Sequence, residues 1–433
     1  MIPTTGASPH PTRLQPTPAQ RPPNRLNKHK RRMSQELAFL DFNQAGFSIR
    51  SAEVMRAREN HWYAKTPFSI AVLRYADVNA LLKDRRLYQG TRRWPAHYGI
   101  TEGLLSDWWQ TMLLTVEGRD HLRLRKLANP AFSSRVIEPM TGYFAELAHE
   151  LIDDFCERGT CEFMREFAEP FSARVITGLL GIPKQNWRQL ADLATELGYV
   201  FSVTIKEALP AIEHGLQGII DISQALIDNR DGTHADDFVG TLVTASLDNT
   251  KITRAELLSL VSMVVFAGFD TTRNQIGLGM QTFSDFPAQW QKLAANPALG
   301  RQAVEEVMRV NPTITWVSRE AAESIQHREL TIEKGATVHL LTIPAGCDPR
   351  KVDPAEFDIE KERPPHFGFG GGMHHCIGHL VARLDMTKAF KALAARLPEM
   401  RVSPEAAYLP DSGNTGPTHM PVTFRPTAPR VRK

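Results

Sequence analysis

Cysteine is scarce. The 433 residues contain four, Cys156, Cys161, Cys347 and Cys376. They are too few and too scattered for a disulfide framework, and a reduced, cytosolic setting fits them better. Cys156 and Cys161 stand five apart with no metal-ligand pattern nearby and read as small buried hydrophobes. Long apolar runs are missing too. The longest charge-free one is Leu257–Phe269, short of the ~20 residues a bilayer span needs, so no membrane span is expected. Acidic residues are absent from residues 1–33, which carry seven Lys/Arg and end in PPNRLNKHKRRM. That head is rich in Pro, Thr and Arg and has neither the apolar core of a signal peptide nor that of an anchor. It reads as a disordered basic tail, with no nucleic-acid partner expected. It also accounts for the net charge of +3, because the rest holds 44 basic and 48 acidic residues, a net of −4. No internal repeat, Gly/Ser linker or CxxC pair appears.

What is present is mostly helix. TGYFAELAHELIDDFCERG repeats apolar residues at three and four and stops at Gly159. The stretch from Asn186 to Gly232 predicts two or three helices broken near Pro210. Thr253-x-x-Glu256 is a capping box that opens a long helix through about Phe283. Asn296-Pro297 starts another, which Pro312 ends. Strand-type runs occur in FSIAVLRYADV and in RELTIEKGATVHLLTIP, the latter two strands joined as a hairpin by Glu333-Lys334-Gly335. Residues 34–433 therefore predict a single, mainly α domain with a small β-rich part.

Chemistry concentrates in HFGFGGGMHHCIGHLVARLDM, His366 to Met386. A helix with Leu380, Val381, Leu384 and Phe390 on one stripe begins just past Cys376. A thiol there feels the helix dipole and unpaired N–H groups, which favour the metal-binding thiolate. Glycines 368, 370, 371 and 372 allow φ > 0 and the close approach of a flat ligand. Adjacent His374, His375 and Cys376 point to alternate sides and lack zinc spacing, while a Gly-rich turn with a buried thiol remains open at this point. Three other groups stand out. In AGFDTT (267–272), Thr271 can bond back to the Ala267 carbonyl, and Asp270 and Thr271 read either as a proton-delivery pair or as a polar patch on a core helix. Glu306 and Arg309 share a helix face at i,i+3, and His121 and Arg125 do so at i,i+4.

The spacing Phe369-x-x-Gly372-x-His374-x-Cys376-x-Gly378 resembles the haem-thiolate signature of cytochrome P450. The other groups follow in that family's order, and the resemblance covers about residues 70–424, including LLGIP at 179–183 and HMPVTF at 419–424. It implies the P450 fold and haem b, with Cys376 as axial thiolate, Phe369 and Gly378 beside it, and His374, His121, Arg125 and Arg319 toward the haem propionates. By the same resemblance Asp270 feeds protons and Thr271 holds the water network. Glu306, Arg309 and Arg363, of the meander-like DPAEFDIEKER, hold the cysteine loop. Trp108, Phe266, Ala267, Phe269, Ile314 and Trp316 are the expected pocket walls. The segment Gly346-Cys347-Asp348-Pro349 departs from the family's Asn-Arg-Asp-Pro run but keeps Asp-Pro.

The implied reaction inserts one oxygen atom from O2 into a lipophilic small molecule. Its electrons come from a separate ferredoxin and ferredoxin reductase, to a monomer in the cytoplasm. Arg119, Arg123 and Lys126 are the expected basic patch for an acidic ferredoxin. Two alternatives are a P450-fold enzyme of non-hydroxylating oxidative chemistry and a non-catalytic haem-binding sensor.

Overall fold

The computed structural model describes residues 37–430 apart from 45, 202–203, 231–237, 247–251 and 353–355. The basic head and the start of the meander lie outside them. Four helices position the site: α1 (Gly118–Ala128), α2 (Arg254–Asp285), α3 (Gly300–Val310) and α4 (His379–Arg396).

α2 is the axis of the main core. Its capping box forms as expected: Thr253 accepts from the Glu256 N–H, and Glu256 accepts from the Thr253 N–H. The helix is apolar nearly all round, the mark of burial on every side, and it packs against Glu169–Leu180, Leu209–Asp228 and α4. By length and composition alone it could cross a membrane, but most of its side chains are buried against the rest of the protein. Gly268 interrupts it for a steric reason. A Cβ there would sit 2.3 Å from Ile176 Cδ1 of the neighbouring helix.

α3 enters as expected through Asn296, whose side chain accepts from the Ala298 N–H, and a short turn at Pro297–Leu299. It ends at Asn311, before Pro312, since a residue preceding proline disfavours helix. α4 starts directly after Gly378. Its buried face runs through Val381, Asp385, Met386, Ala389 and Phe390, while Leu380 and Leu384 are only half-buried, so the apolar stripe is rotated from the expected one.

The β part corrects two expectations. Five strands run in the order Tyr63–Thr66, Ser69–Val72, Thr337–Leu341, Trp316–Ala321, Leu87–Gln89. Only Ser69–Val72 with Thr337–Leu341 is parallel. Leu330–Ile332 does not pair across Glu333–Gly335 with Thr337–Leu341. It pairs with Ile325–His327, while Thr337–Leu341, buried along most of its length, is claimed as a central strand by two longer neighbours. Burial outweighed the turn signal. Likewise, the second half of FSIAVLRYADV is helix from Tyr75, not strand. Thr141–Asp153 also ends before Gly159.

Candidate functional site

The cysteine loop is held by backbone geometry first. Gly370 and Gly372 adopt φ of +66°, and a Cβ on Gly372 would fall 2.0 Å from the Leu82 carbonyl oxygen. The Cys376 N–H donates to the Phe369 carbonyl at 2.9 Å, closing the loop on itself. The Phe369 ring carries Arg383 over its face at 4.5 Å, and Arg383 is paired with Glu305. Part of the Cys376 surface remains accessible, yet the packing around it pushes its thiol up, against the Gly378 N–H and the charges of Arg125 and Arg383.

Basic side chains gather around this loop. His121 of α1 is 1% exposed, and both its ring nitrogens are buried without a hydrogen-bond partner. Its ring lies 4.2 Å from that of His374. Burial, then His374 and Arg125, push His121 down to about 4, so it is neutral at pH 7. Arg125, one turn along, donates to the His375 carbonyl, and burial lowers it. Arg319 comes from the Trp316–Ala321 strand, opposite Gln89 in the sheet register. It donates to Gln89 Oε1 at 2.7 Å and is pushed down to about 10 by burial. One carboxylate enters the set: Glu117, 3.0 Å from His374 Nε2 and bonded to the Gln89 N–H. Sequence reasoning missed it, although an acid just before the first turn of α1 suits a helix N-terminus.

In α2, Thr271 donates to the Ala267 carbonyl at 2.7 Å, as its spacing predicts. Ala267 is exposed although Val265, Phe266 and Phe269 around it are buried. Asp270 accepts from Arg273 at 2.7 Å, Asn414 at 3.1 Å and Asn274 at 3.2 Å. On α3, Glu306 takes two bonds from Arg309 (2.6 and 2.7 Å), one from Arg363 (3.2 Å) and the Asp358 N–H (3.0 Å), all but shut off from water. Cys347 lies 3.5 Å from Arg309 Nη1, inside this network.

A family model described as cytochrome P450 matches residues 281–398. Luteothin monooxygenase of Streptomyces thioluteus is 36% identical over 394 residues, spanning 90% of this chain and 96% of its own. The chain belongs to the cytochrome P450 family. The mycinamicin IV hydroxylase/epoxidase of Micromonospora griseorubida is 31% identical across 82% of this P450 and 89% of its own length. The solved structure of CalO2, 28% identical, shares the fold with a TM-score of 0.79 over 88% of this chain and 99% of its own. The protein is a haem-thiolate monooxygenase whose family cofactor is haem b.

The residues present fit that cofactor. Haem carries two carboxylates, and this P450 buries an imidazole with both nitrogens unpartnered beside two arginines bonded only to neutral groups. Glu117 is a single carboxylate among these groups, and the two anionic propionates would give the unbonded imidazole and the arginines partners that it does not. A metal at Cys376 would replace the thiol proton that burial otherwise retains.

Three expectations change. Phe269 is fully buried under the Arg273 guanidinium and offers no surface to a pocket. Trp316 faces away from the other expected walls. It stacks on Phe42 at 5.0 Å in a separate cluster with Leu40 and Val54, whereas Trp108 meets Phe266 at 6.0 Å and donates to Ser262 of α2. Strand alternation explains this, since Val317 takes the opposite face. Arg123 is not free for a partner, being paired with Glu256 and Asp120.

Proposed function

We propose that this P450 holds haem b through the Cys376 thiolate and oxidises a lipophilic small molecule with O2, using electrons from a separate ferredoxin. The observation that carries the reading is the conjunction of Cys376 at the head of α4 with buried His121 and Arg319 and half-buried Arg125 around its loop. When bound, the haem supplies activation of O2 and transfer of one oxygen atom. The chain's own residues do the rest. His374, His121, Arg125 and Arg319 receive the propionates, Phe369 and Gly378 shield the sulfur, and the Glu306–Arg309–Arg363 network keeps the loop in register. Asp270 and Thr271 hold the protons that the oxygen chemistry consumes, with Thr271 Oγ1 parked on the Ala267 carbonyl of α2.

Trp108, Phe266, Ala267 and Ile314 remain as pocket walls. Their apolar character supports a lipophilic substrate, as does similarity to relatives named for luteothin and mycinamicin IV. For the electron donor, Arg119, Leu122 and Lys126 form one exposed ridge of α1, with Leu122 56% exposed between the two cations. An apolar contact ringed by positive charge suits an acidic ferredoxin. A monomer in the cytoplasm accords with this reading. The test is the absorption spectrum of the dithionite-reduced protein under carbon monoxide. A Soret band near 450 nm, as the family name implies, is expected. A band near 420 nm in freshly prepared, folded protein would remove Cys376 as the thiolate ligand.

A further inference from the structure

Three side chains occupy the oxygens of Asp270, and they differ in origin. Arg273 on Oδ1 and Asn274 on Oδ2 belong to the acid's own helix, one turn on, and move with it. Asn414, 3.1 Å from Oδ2, arrives from the turn between the strands Ala407–Tyr408 and Pro417–His419. A carboxylate only accepts, so the amide NH2 of Asn414 faces Asp270 and its oxygen faces the Thr313 hydroxyl, 2.9 Å away. The same turn is pinned along its backbone. The Thr415 N–H donates to the Thr313 carbonyl at 2.9 Å, the Thr315 N–H donates to Gly413 at 3.2 Å, and Asn414 forms a β-bridge with Ile314. One amide thus joins the acid of α2 to the segment carrying Ile314, a wall of the substrate pocket. Arg273 also reaches toward Glu169, at 3.8 Å, so the charged groups facing the acid are Arg273 and, behind it, Glu169.

We propose that Asn414 is the positioning residue for Asp270, fixing the carboxylate's orientation and linking it to the Thr313–Ile314 wall. The inference rests on Asp270 acting in proton supply. Without Asn414, the hydrogen bonds left on the acid come from its own helix, and the tie beyond α2 is the 3.8 Å contact of Arg273 with Glu169. Substrate pressing on Ile314 acts on the acid through a bridge and one amide.

The test uses holoenzyme with spinach ferredoxin, its reductase and NADPH, and progesterone as a lipophilic probe. NADPH consumed and peroxide released are read in H2O and D2O. Asp270→Ala sets the scale. Asn414→Ala, which removes one charge-assisted bond, should lower the rate about tenfold and raise the solvent isotope effect. Asn414→Leu, of similar size but unable to donate and without a new charge, should do the same. In the Asp270→Ala background, Asn414→Ala should add nothing, because a residue acting through another is non-additive with it. Should Asn414→Ala prevent haem retention, Thr313→Val, which removes the hydroxyl shared between Asn414 Oδ1 and the Thr415 carbonyl, should give a smaller loss with the same non-additivity. A loss of equal factor in both backgrounds would make Asn414 an independent pocket wall and overturn the proposal. So would a rate within twofold of wild type for Asn414→Ala while Asp270→Ala is impaired. If Asp270→Ala itself stays within twofold, the proton-supply reading fails, and the positioning role falls with it.

Discussion

Truncating Glu306 to alanine should be among the most damaging single changes to this fold, and its cost can be worked from the contacts. The carboxylate accepts four hydrogen bonds and balances two guanidinium groups, Arg309 at 1% and Arg363 at 7% side-chain exposure. Removing it leaves Arg309, among the described residues, with the Gly346 and Glu356 carbonyls and the Cys347 sulfur. Around that guanidinium dipoles stay, but no anion does. Breaking a buried pair in this way costs about 3–5 kcal/mol, a large share of a typical 5–15 kcal/mol total. An exposed acid gives an internal control. Glu360 pairs with Lys292 where the two side chains are 53% and 42% exposed, a setting worth about 1 kcal/mol or less. Urea unfolding followed by far-ultraviolet circular dichroism measures both, and the Soret band reports haem retention. Glu306→Ala should lose several kcal/mol and its 450 nm carbon monoxide band, while Glu360→Ala should change little. Equal costs, or a Glu306→Ala loss under about 1 kcal/mol, would refute the view that burial of the triad fixes the loop.

Other outcomes follow from single contacts. Gly372→Ala places a Cβ against the Leu82 carbonyl at a φ of +66°, so haem occupancy after expression should fall sharply, with folded apoprotein detectable by circular dichroism. Arg319→Leu removes a buried cation held by Gln89, and the apoprotein's haem affinity, measured by transfer to apomyoglobin, should drop at least tenfold if the charge meets a propionate. Asp385 on α4 is buried, and burial raises its carboxyl well above the usual range. Its folded form therefore holds a proton that the unfolded chain releases above about pH 4, and native stability is lost as pH rises from there. Asp385→Asn should match wild type near pH 4 and gain on it in urea midpoint toward pH 8; a constant difference across that range would count against the buried-acid account. Arg119→Glu with Lys126→Glu should slow reduction by an acidic ferredoxin at low salt, with the difference vanishing in stopped-flow traces at high salt.

Local signals survived folding where burial and pattern agreed. The capping box of α2, the Thr271 back-bond, the α3 boundaries and the Glu306–Arg309 pair are all encoded within a few residues, and each forms. The failures share a cause. The Glu333–Gly335 turn looks like a hairpin locally, but Thr337–Leu341 is worth more as a central strand than as half of a small ribbon. Phe269 and Trp316 looked like pocket walls because apolar residues near a site do so; which face they turn to depends on neighbours in distant segments. Arg383 and Asn414 carried no readable signal, since each matters only through a partner far along the chain, and the place of Glu117 before α1 did not point to His374.

The Glu256 carboxylate serves two structures at once. It closes the first turn of α2 and also grips Arg123 on the ridge-bearing helix α1. A redesign that swaps Arg123 to suit a foreign electron donor would therefore loosen the start of the helix carrying Asp270 and Thr271. If the donor docks on the Arg119–Leu122–Lys126 ridge and Asp270 and Thr271 supply protons, as proposed, a change at Arg123 touches both and should lower the coupling between electrons supplied and product made.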